Sequence, residues 1–419
     1  MQVQSCERIW LKPNKELSKL CHISKNLYNE ANYIVRQEFT KNLEEGEHKK
    51  WIRYNELYKI MKTKQNLEGE ITLKQLPAQT SQQILMLLDK NWKSFFKSIK
   101  DWSKNKSKYL GQPNLPKYKK KDGQFMLIFT NQSLHIKDGI LKLPKALNLN
   151  VKTRLKDVEL NQVRILPTGT GYILEIVYTK ETKNLDLDKD RIMGIDFGVR
   201  NFMTIGNNTG LKPIVVKGGV IKSMNQFYNK KLAMLQQKYD KSKIKKNTKK
   251  LSKLNDKKYK KMEDYFHKTS RFVIQYCIEN NFGTIVIGHN ANWKQEAKLG
   301  KKNTQNFVGI PFNKMIQKLE YKADEIGIKV IKEGEAHTSK CSFLDNEPIE
   351  HQEEYLGKRI SRGIFKSSQG TLINADVNAT YNIIKKAIPN AFAKVEADGI
   401  EGVGLHPCGV TSRMYFNTF

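Results

Sequence analysis

The chain is short of acid. It carries 42 Asp and Glu against 74 Lys and Arg, a net charge of +32 over 419 residues. That excess is more than a balanced charged surface needs and fits a polyanionic partner, nucleic acid first. It does not imply catalysis, because a purely binding protein would share it. The chain is also short of long apolar runs. No stretch approaches the ~20 apolar residues of a membrane span, and the opening MQVQSCERIW is no secretion signal. A cytoplasmic protein with no membrane partner is expected. Cysteine is scarce too. Cys6, Cys21, Cys277, Cys341 and Cys408 lie far apart with no CxxC pair, which excludes a disulfide framework and a zinc site of the usual spacing. No HxH occurs, which argues against strand transfer by a tyrosine enzyme.

At 39% hydrophobic residues the chain can bury real cores, and its length predicts two or three domains. Residues 1–13 read as a strand stopped by Pro13. From Glu16 the pattern is helical, with Leu17, Leu20, Cys21, Leu27, Tyr28, Ala31 and Val35 near one face. Helices are expected at 54–61 and from Pro77, the latter with Ile84, Leu88, Phe95, Ile99 and Trp102 on one stripe. Prolines and a lysine run break the pattern at 104–123, a candidate boundary and phosphate-contacting loop. Short strands follow: 124–130, a hairpin turning on Asp138-Gly139, and 163–167 with 172–178 around a Gly-rich turn. Their spacing suggests a small barrel. The opening strand would complete it, making the helical lobe an insertion. A polar linker is expected at 182–190. Beyond it lie a strand at 212–218, long basic helices over 221–280, a polar loop at 294–308, a helix from Pro311 and a strand at 328–335. Lysines 241–261 read equally as a solvated face or a nucleic-acid contact.

The chemistry is expected around RIMGIDFGVRNFMTIG (191–206), a hairpin that lifts Asp196 to a strand end. IVIG (285–288) reads as a second buried strand, and INADVNA (373–379) as an acid, Asp376, opening a helix. Strand acid, inner strand, helix acid is the order of a ribonuclease H-like nuclease core. Two-metal phosphodiester cleavage needs three or four converging carboxylates. The third acid would end the strand at 288, where Gly288 stands. Strand alternation puts Glu333 and Glu335 on one face of the next strand, and either is a candidate. GIDFG (194–198) also resembles the first phosphate motif of actin-like ATPases. The Thr or Ser expected next is absent, as is a Gly-rich adenosine motif.

The Asp196 hairpin, HTSKCS (337–342) and INADVNA together resemble the RuvC nuclease of TnpB proteins, transposon-encoded RNA-guided DNA endonucleases related to Fanzor and to type V CRISPR effectors. LCHISKNLYNEAN (20–32) and LPKYKK (115–120) also resemble that family. The resemblance implies a multidomain α+β chain. A wedge barrel (1–13 and 108–185) would carry an inserted helical recognition lobe (14–107). An α/β RuvC-like domain (186–419) would follow, with a target-loading insert at 337–372. It implies Mg2+ (two ions) held by Asp196, Glu335 and Asp376, because a subset of the family places the second-motif glutamate just before the Thr-Ser-Lys segment, where Glu335 stands. It implies a guide RNA from the transposon end, a double-stranded DNA target beside a short flanking motif, and a bacterial cytoplasm. The four-cysteine zinc finger usual in the family is reduced to Cys341, with RISRGIF (359–365) where a later CxxC would stand. No zinc is therefore expected, and the insert should be held by packing. Lys117, Lys119 and Lys120 are expected at phosphates, and Arg359, Arg362 and Lys366 at single-stranded DNA entering the site. The Gly288 substitution leaves a second reading, an RNA-guided DNA-binding repressor without cleavage.

Overall fold

The computed structural model describes residues 2–44, 51–144, 147, 149–242, 248–290, 300–393 and 404–410. The chain forms two compact units, 2–180 and 181–419.

In the first unit, β1 (Gln2–Leu11) is followed by α1 (Lys15–Glu44), α2 (Tyr54–Thr63) and α3 (Ala78–Lys104). The α1 stripe is buried as its spacing dictates, and Ile84, Leu85, Leu88 and Trp92 of α3 meet the same core. Trp92 donates its Nε1–H to Asn32 Oδ1 at 3.1 Å, so the indole is buried with its one polar atom satisfied. Pro77 stands just ahead of α3 in extended conformation, and Ser81 N donates to its carbonyl. The strands β2 (Leu127–Thr130), β3 (His135–Lys137), β4 (Ile140–Lys142), β5 (Asn150–Lys152), β6 (Glu159–Pro167) and β7 (Tyr172–Glu181) fall into two sheets. One has the order β1-β7-β6-β2, the other β3-β4-β5. The opening strand thus lies beside β7, and α1 to α3 enter the chain between strands of one sheet. The β3–β4 turn places Asp138 at φ 52° and Gly139 at φ 68°. Two left-handed residues in a row match the twist of the flanking strands.

The second unit begins earlier than the sequence suggests. Lys183 N and Leu185 N donate to Glu325 O and Ile326 O, both at 3.0 Å. The polar segment after 181 is therefore docked on this unit rather than spanning as a free linker. Its strands are β8 (Ile192–Phe197), β9 (Asn201–Asn207), β10 (Ile214–Lys217), β11 (Thr284–Gly288), β12 (Lys329–Glu333), β13 (Lys358–Ser361), β14 (Ile364–Lys366), β15 (Leu372–Asn374) and β16 (Cys408–Val410). Its helices are α4 (Gly219–Lys241), α5 (Lys249–Glu279), α6 (Lys301–Val308), α7 (Phe312–Asp324) and α8 (Ala375–Ala387). The main sheet has the order β12-β11-β8-β9-β10-β16. β12, β11 and β8 run parallel, β9 runs against β8 and β10, and β16 runs parallel to β10. β8 and β11 are near-continuous apolar runs because both their faces are covered. On one face Phe202 stacks on Phe266 of α5 at 5.6 Å and on Phe312 of α7 at 6.2 Å between centroids.

The other face takes α8, and glycine decides how closely. Gly194 of β8 pairs with Gly206 of β9, and Gly288 ends the neighbouring β11. A Cβ on Gly194 would stand 2.5 Å from Ile384, one on Gly206 2.9 Å from Tyr381, and one on Gly288 2.7 Å from Ile383. These three glycines form a trough in which α8 lies against bare backbone. The polar loop expected over 294–308 is in part helix: α6 begins at Lys301. Residues 291–299 lie outside the described set, as do 243–247 of the lysine-rich run. The lysines of α5 that are described include exposed Lys249, Lys250, Lys253, Lys257, Lys260 and Lys261.

Candidate active site

Asp196 is the fifth residue of β8 and lies between buried Ile195 and Phe197, its partner across the ladder being Thr204. Asp376 is the second residue of α8. Asn374 caps that helix, its Oδ1 accepting from Asp376 N at 3.1 Å and Val377 N at 3.3 Å. An acid in a first helical turn faces unpaired N–H groups and the positive end of the helix dipole. The glycine trough brings that turn towards the end of β8. Asn201, the first residue of β9, donates to Asp376 Oδ2 at 2.7 Å, and Arg359 Nη2 donates to Oδ1 at 3.1 Å.

Glu335 reaches the site by a route that strand alternation does not describe. β12 ends at Glu333, so Glu335 lies two residues beyond the strand. Gly288 pairs with Glu333, and His289 N donates to Glu333 O at 2.8 Å. The Glu333 carboxylate turns onto its own following amide, Gly334 N, at 3.1 Å. Glu335 is instead gripped by Asn290. Its N–H donates to Asn290 Oδ1 at 2.9 Å, and Asn290 Nδ2 donates to Glu335 Oε2 at 3.1 Å. The other oxygen, Oε1, is buried and has no hydrogen-bond partner among the described residues. A Cβ on Gly288 would lie 2.7 Å from that same Oε1. The side chain therefore fills the space above Gly288, the strand end at which the sequence lacks its acid.

Burial pushes the Asp196 carboxyl well above the usual carboxylate range, and the charges of Glu335 and then Asp376 push it further. Arg359 and the Phe197 backbone N–H act the other way. Desolvation alone lifts Glu335 to about 7. The three acids are thus electrically coupled and short of positive charge. Among the described residues, no three His, Cys, Asp or Glu side chains converge tightly enough to grip an ion in this conformation. Asn201 and Arg359 hold both oxygens of Asp376.

The basic residues divide. Arg359 lies on β13 and meets Asp376, while its guanidinium also donates through Nε to Arg362 O at 3.1 Å. The side chains of Arg362 and Lys366 are exposed on the same hairpin and form no ion pair with the acids. In the first unit, residues 116–121 are laced to α1 through their backbone. Asn29 donates to Lys119 O at 2.9 Å and accepts from Lys119 N at 2.7 Å. Asn32 and Arg36 donate to Pro116 O at 2.9 and 2.6 Å, and Lys25 donates to Lys121 O at 2.7 Å. Lys117, Tyr118, Lys120 and Lys121 face outwards. Lys119 does not. Its ammonium lies over the rings of Tyr28 and Phe125, 4.6 and 4.5 Å from their centroids, and burial lowers its pKa.

Sequence reasoning missed Asn201, Asn290 and the glycine trough. Asn201 sits inside the 191–206 stretch, and Asn290 follows Gly288 by two residues. An amide beside a strand-end acid was the available signal.

Two protein-family models match the chain. One, OrfB_IS605, described as "Probable transposase", covers residues 175–294. The other, the Cas12f1-like TNB domain, covers 312–383. A CRISPR-associated endodeoxyribonuclease Cas12f1 from Sulfoacidibacillus thermotolerans is 32% identical over 239 residues, 55% of this chain. The match spans 53%, about half, of that relative's length. The TnpB-like protein ORF457 of Acidianus two-tailed virus is 22% identical over 89% of this chain and 84% of its own. Among solved structures, a Cas12f1–sgRNA–target DNA complex aligns with TM-score 0.53 and 12% identity, over 88% of this chain and 83% of the other. That likeness is one of fold, mixed α and β.

Proposed function

We propose that this chain, a TnpB-family protein by its similarities, is an RNA-guided endonuclease that cuts double-stranded DNA with Mg2+. The observation that carries the reading is the bare, buried Oε1 of Glu335. A buried carboxylate oxygen that accepts no hydrogen bond costs several kcal/mol in a charged state. A divalent cation removes that cost, and oxygen-only donors suit Mg2+. Asp196, Glu335 and Asp376 would hold two such ions, which supply a nucleophilic water and stabilise charge on the departing 3′ oxygen. Asn290 and Asn201 orient Glu335 and Asp376, each holding one oxygen. Arg359 neutralises Asp376 until cation and DNA arrive, and with Arg362 and Lys366 it offers a cationic edge to the single strand.

In this reading residues 186–419 are the RuvC-like nuclease and 337–372 its target-loading insert. The sheets of the first unit form the wedge, with α1 to α3 as the recognition lobe reading a short flanking motif. A guide RNA from the transposon end pairs with the target strand, and the protein contacts backbone and shape. Lys117 and Lys120 meet phosphates. Lys119 instead stiffens their loop. The Asp376–Arg359 ion pair also supports the repressor reading, because it keeps one acid occupied.

Plasmid cleavage by the protein with its co-expressed transposon-end RNA, in Mg2+ and in EDTA, separates the two. Wild type should cut only with Mg2+. Asp196→Ala and Glu335→Ala should not cut, and Glu333→Ala should. A wild type that binds its target and never cuts establishes the repressor. Normal cutting by Glu335→Ala removes it from the site.

A further inference from the structure

Residues 334–371 are mostly turns, with two short strands and few buried apolar side chains, chiefly Cys341 and Phe365. Packing alone, as expected from the sequence, is little to fix such a segment. Its centre holds a carboxylate instead. Glu347 is 2% exposed. Its Oε2 accepts from Ser342 N at 2.6 Å and its Oε1 from Leu356 N at 2.9 Å. Its own N–H returns to Ser342 O at 3.1 Å.

These bonds belong to a longer circuit. Asn378 and Asn382 of α8, both fully buried, donate to Cys341 O at 2.9 and 2.8 Å. Asn382 also donates to Thr338 O, and Phe343 N donates to Asn378 Oδ1, both at 2.9 Å. From that turn Glu347 reaches across to Leu356. The next residue, Gly357, lies so close to Phe365 that a Cβ would stand 2.4 Å from its ring. Two residues on, Arg359 meets Asp376 on the first turn of α8. The circuit therefore starts and ends on one helix.

We propose that Glu347 is a metal-free cross-link of this insert and a positioning residue for Arg359. Chemistry selects a glutamate for the task. A carboxylate has only acceptors, and its two oxygens satisfy two backbone donors that would otherwise be buried alone. A glutamine would turn an N–H₂ against one of them. An aspartate is one methylene too short to reach both. Cys341, the sole cysteine here, spends its thiol proton on Glu350 O at 3.6 Å.

The test uses full-length protein. Amide exchange read by mass spectrometry should show Glu347→Gln raising exchange at least about tenfold in peptides covering 338–347 and 354–361, the scale of a lost charge-assisted bond, with β8 and β11 peptides unchanged. Glu347→Asp serves in the same way if the glutamine variant does not fold. Purified wild type should carry zinc well below one equivalent, and a zinc chelator should leave its exchange unchanged. Stoichiometric zinc whose removal exposes the same peptides overturns the cross-link, as does unchanged exchange in both variants. The positioning role rests on the nuclease reading above. Glu347→Gln should slow cutting in wild type and add nothing to Arg359→Ala, whereas a product of the two single effects overturns it. Should wild type never cut, the nuclease reading fails while exchange and zinc content still decide the cross-link.

Discussion

Glu175 of the first unit and Glu335 of the second are buried to different ends. Glu175, 5% exposed, sits between Arg8 and Arg164, each donating to one of its oxygens at 2.9 Å. Glu335 has one oxygen on a neutral amide and the other, among the described residues, on no donor. The first carboxylate is charge-saturated by two arginines of its own chain, and so it ties β1 and β6 to β7. The second is left short of charge at a place where two more acids stand near. Saturation marks a structural role, and a deficit that the fold tolerates marks a place kept for something from outside.

The largest effects come from exchanging each acid for its amide. Glu335→Gln and Asp196→Asn should lower Mg2+-dependent cutting by roughly 10³-fold or more, on the scale of lost electrostatic and metal stabilisation. Both should leave the protein as stable as before or more so. Glu175→Gln should do the reverse. Cutting per folded molecule stays the same, while chemical denaturation shows a loss of about 1–3 kcal/mol, less than for a fully buried pair because both arginines are partly exposed. Equal behaviour of the two variants in both assays would erase the contrast.

Proton linkage gives the next effect. Glu335 is raised from 4.5 to about 7. Below pH 4.5 the folded and unfolded chains both hold that proton. Between 4.5 and 7 the unfolded chain releases it and the folded chain keeps it, so the metal-free protein loses stability as pH rises. The loss levels off above 7 and totals at most about 3 kcal/mol. Denaturation curves across that window should flatten in Glu335→Gln. On the proposed reading cutting should rise through pH 7, because the acids would have to ionise to hold the cations. A metal-free stability that is flat from pH 5 to 7.5 would remove Glu335 from the unsatisfied class.

Smaller effects test the surroundings. Gly288→Ala puts a methyl 2.7 Å from Glu335 Oε1, and cutting should fall about 10- to 100-fold. Asn290→Ala frees both ends of the Glu335 clamp and should cost about tenfold, with tighter Mg2+ dependence. An unimpaired Gly288→Ala enzyme would show that Glu335 works from elsewhere.

What the sequence made legible was local. The α1 stripe, the Asp138-Gly139 turn, the apolar runs of β8 and β11 and the helix that opens at Asp376 all follow from neighbours within a few residues. What it hid depended on distant partners. Alternation put Glu333 and Glu335 on one strand face, but β12 stops at Glu333, and Asn290, two residues past the end of β11, then decides where Glu335 points. Gly288 read as a missing ligand. With Gly194 and Gly206 it is a bed for α8, and it is the space Glu335 fills. The KKNTQNFV of α6 has no apolar stripe to announce a helix. Lys119 reads like its neighbours in PKYKK, and only the rings of Tyr28 and Phe125 turn it inward.

The strap at 116–121 is fastened to α1 through Pro116 O, Lys119 N, Lys119 O and Lys121 O, all main-chain atoms. That fastening makes no use of the side chains of Lys117, Lys120 and Lys121, whereas the Tyr118 ring lies under the Arg36 guanidinium of α1, 4.6 Å from its centroid. Those three lysine positions can be rewritten by drift or by design while the segment stays where it is, like type set in a fixed frame. A lineage that must follow a changing nucleic-acid partner can alter that edge one residue at a time without first re-solving its fold.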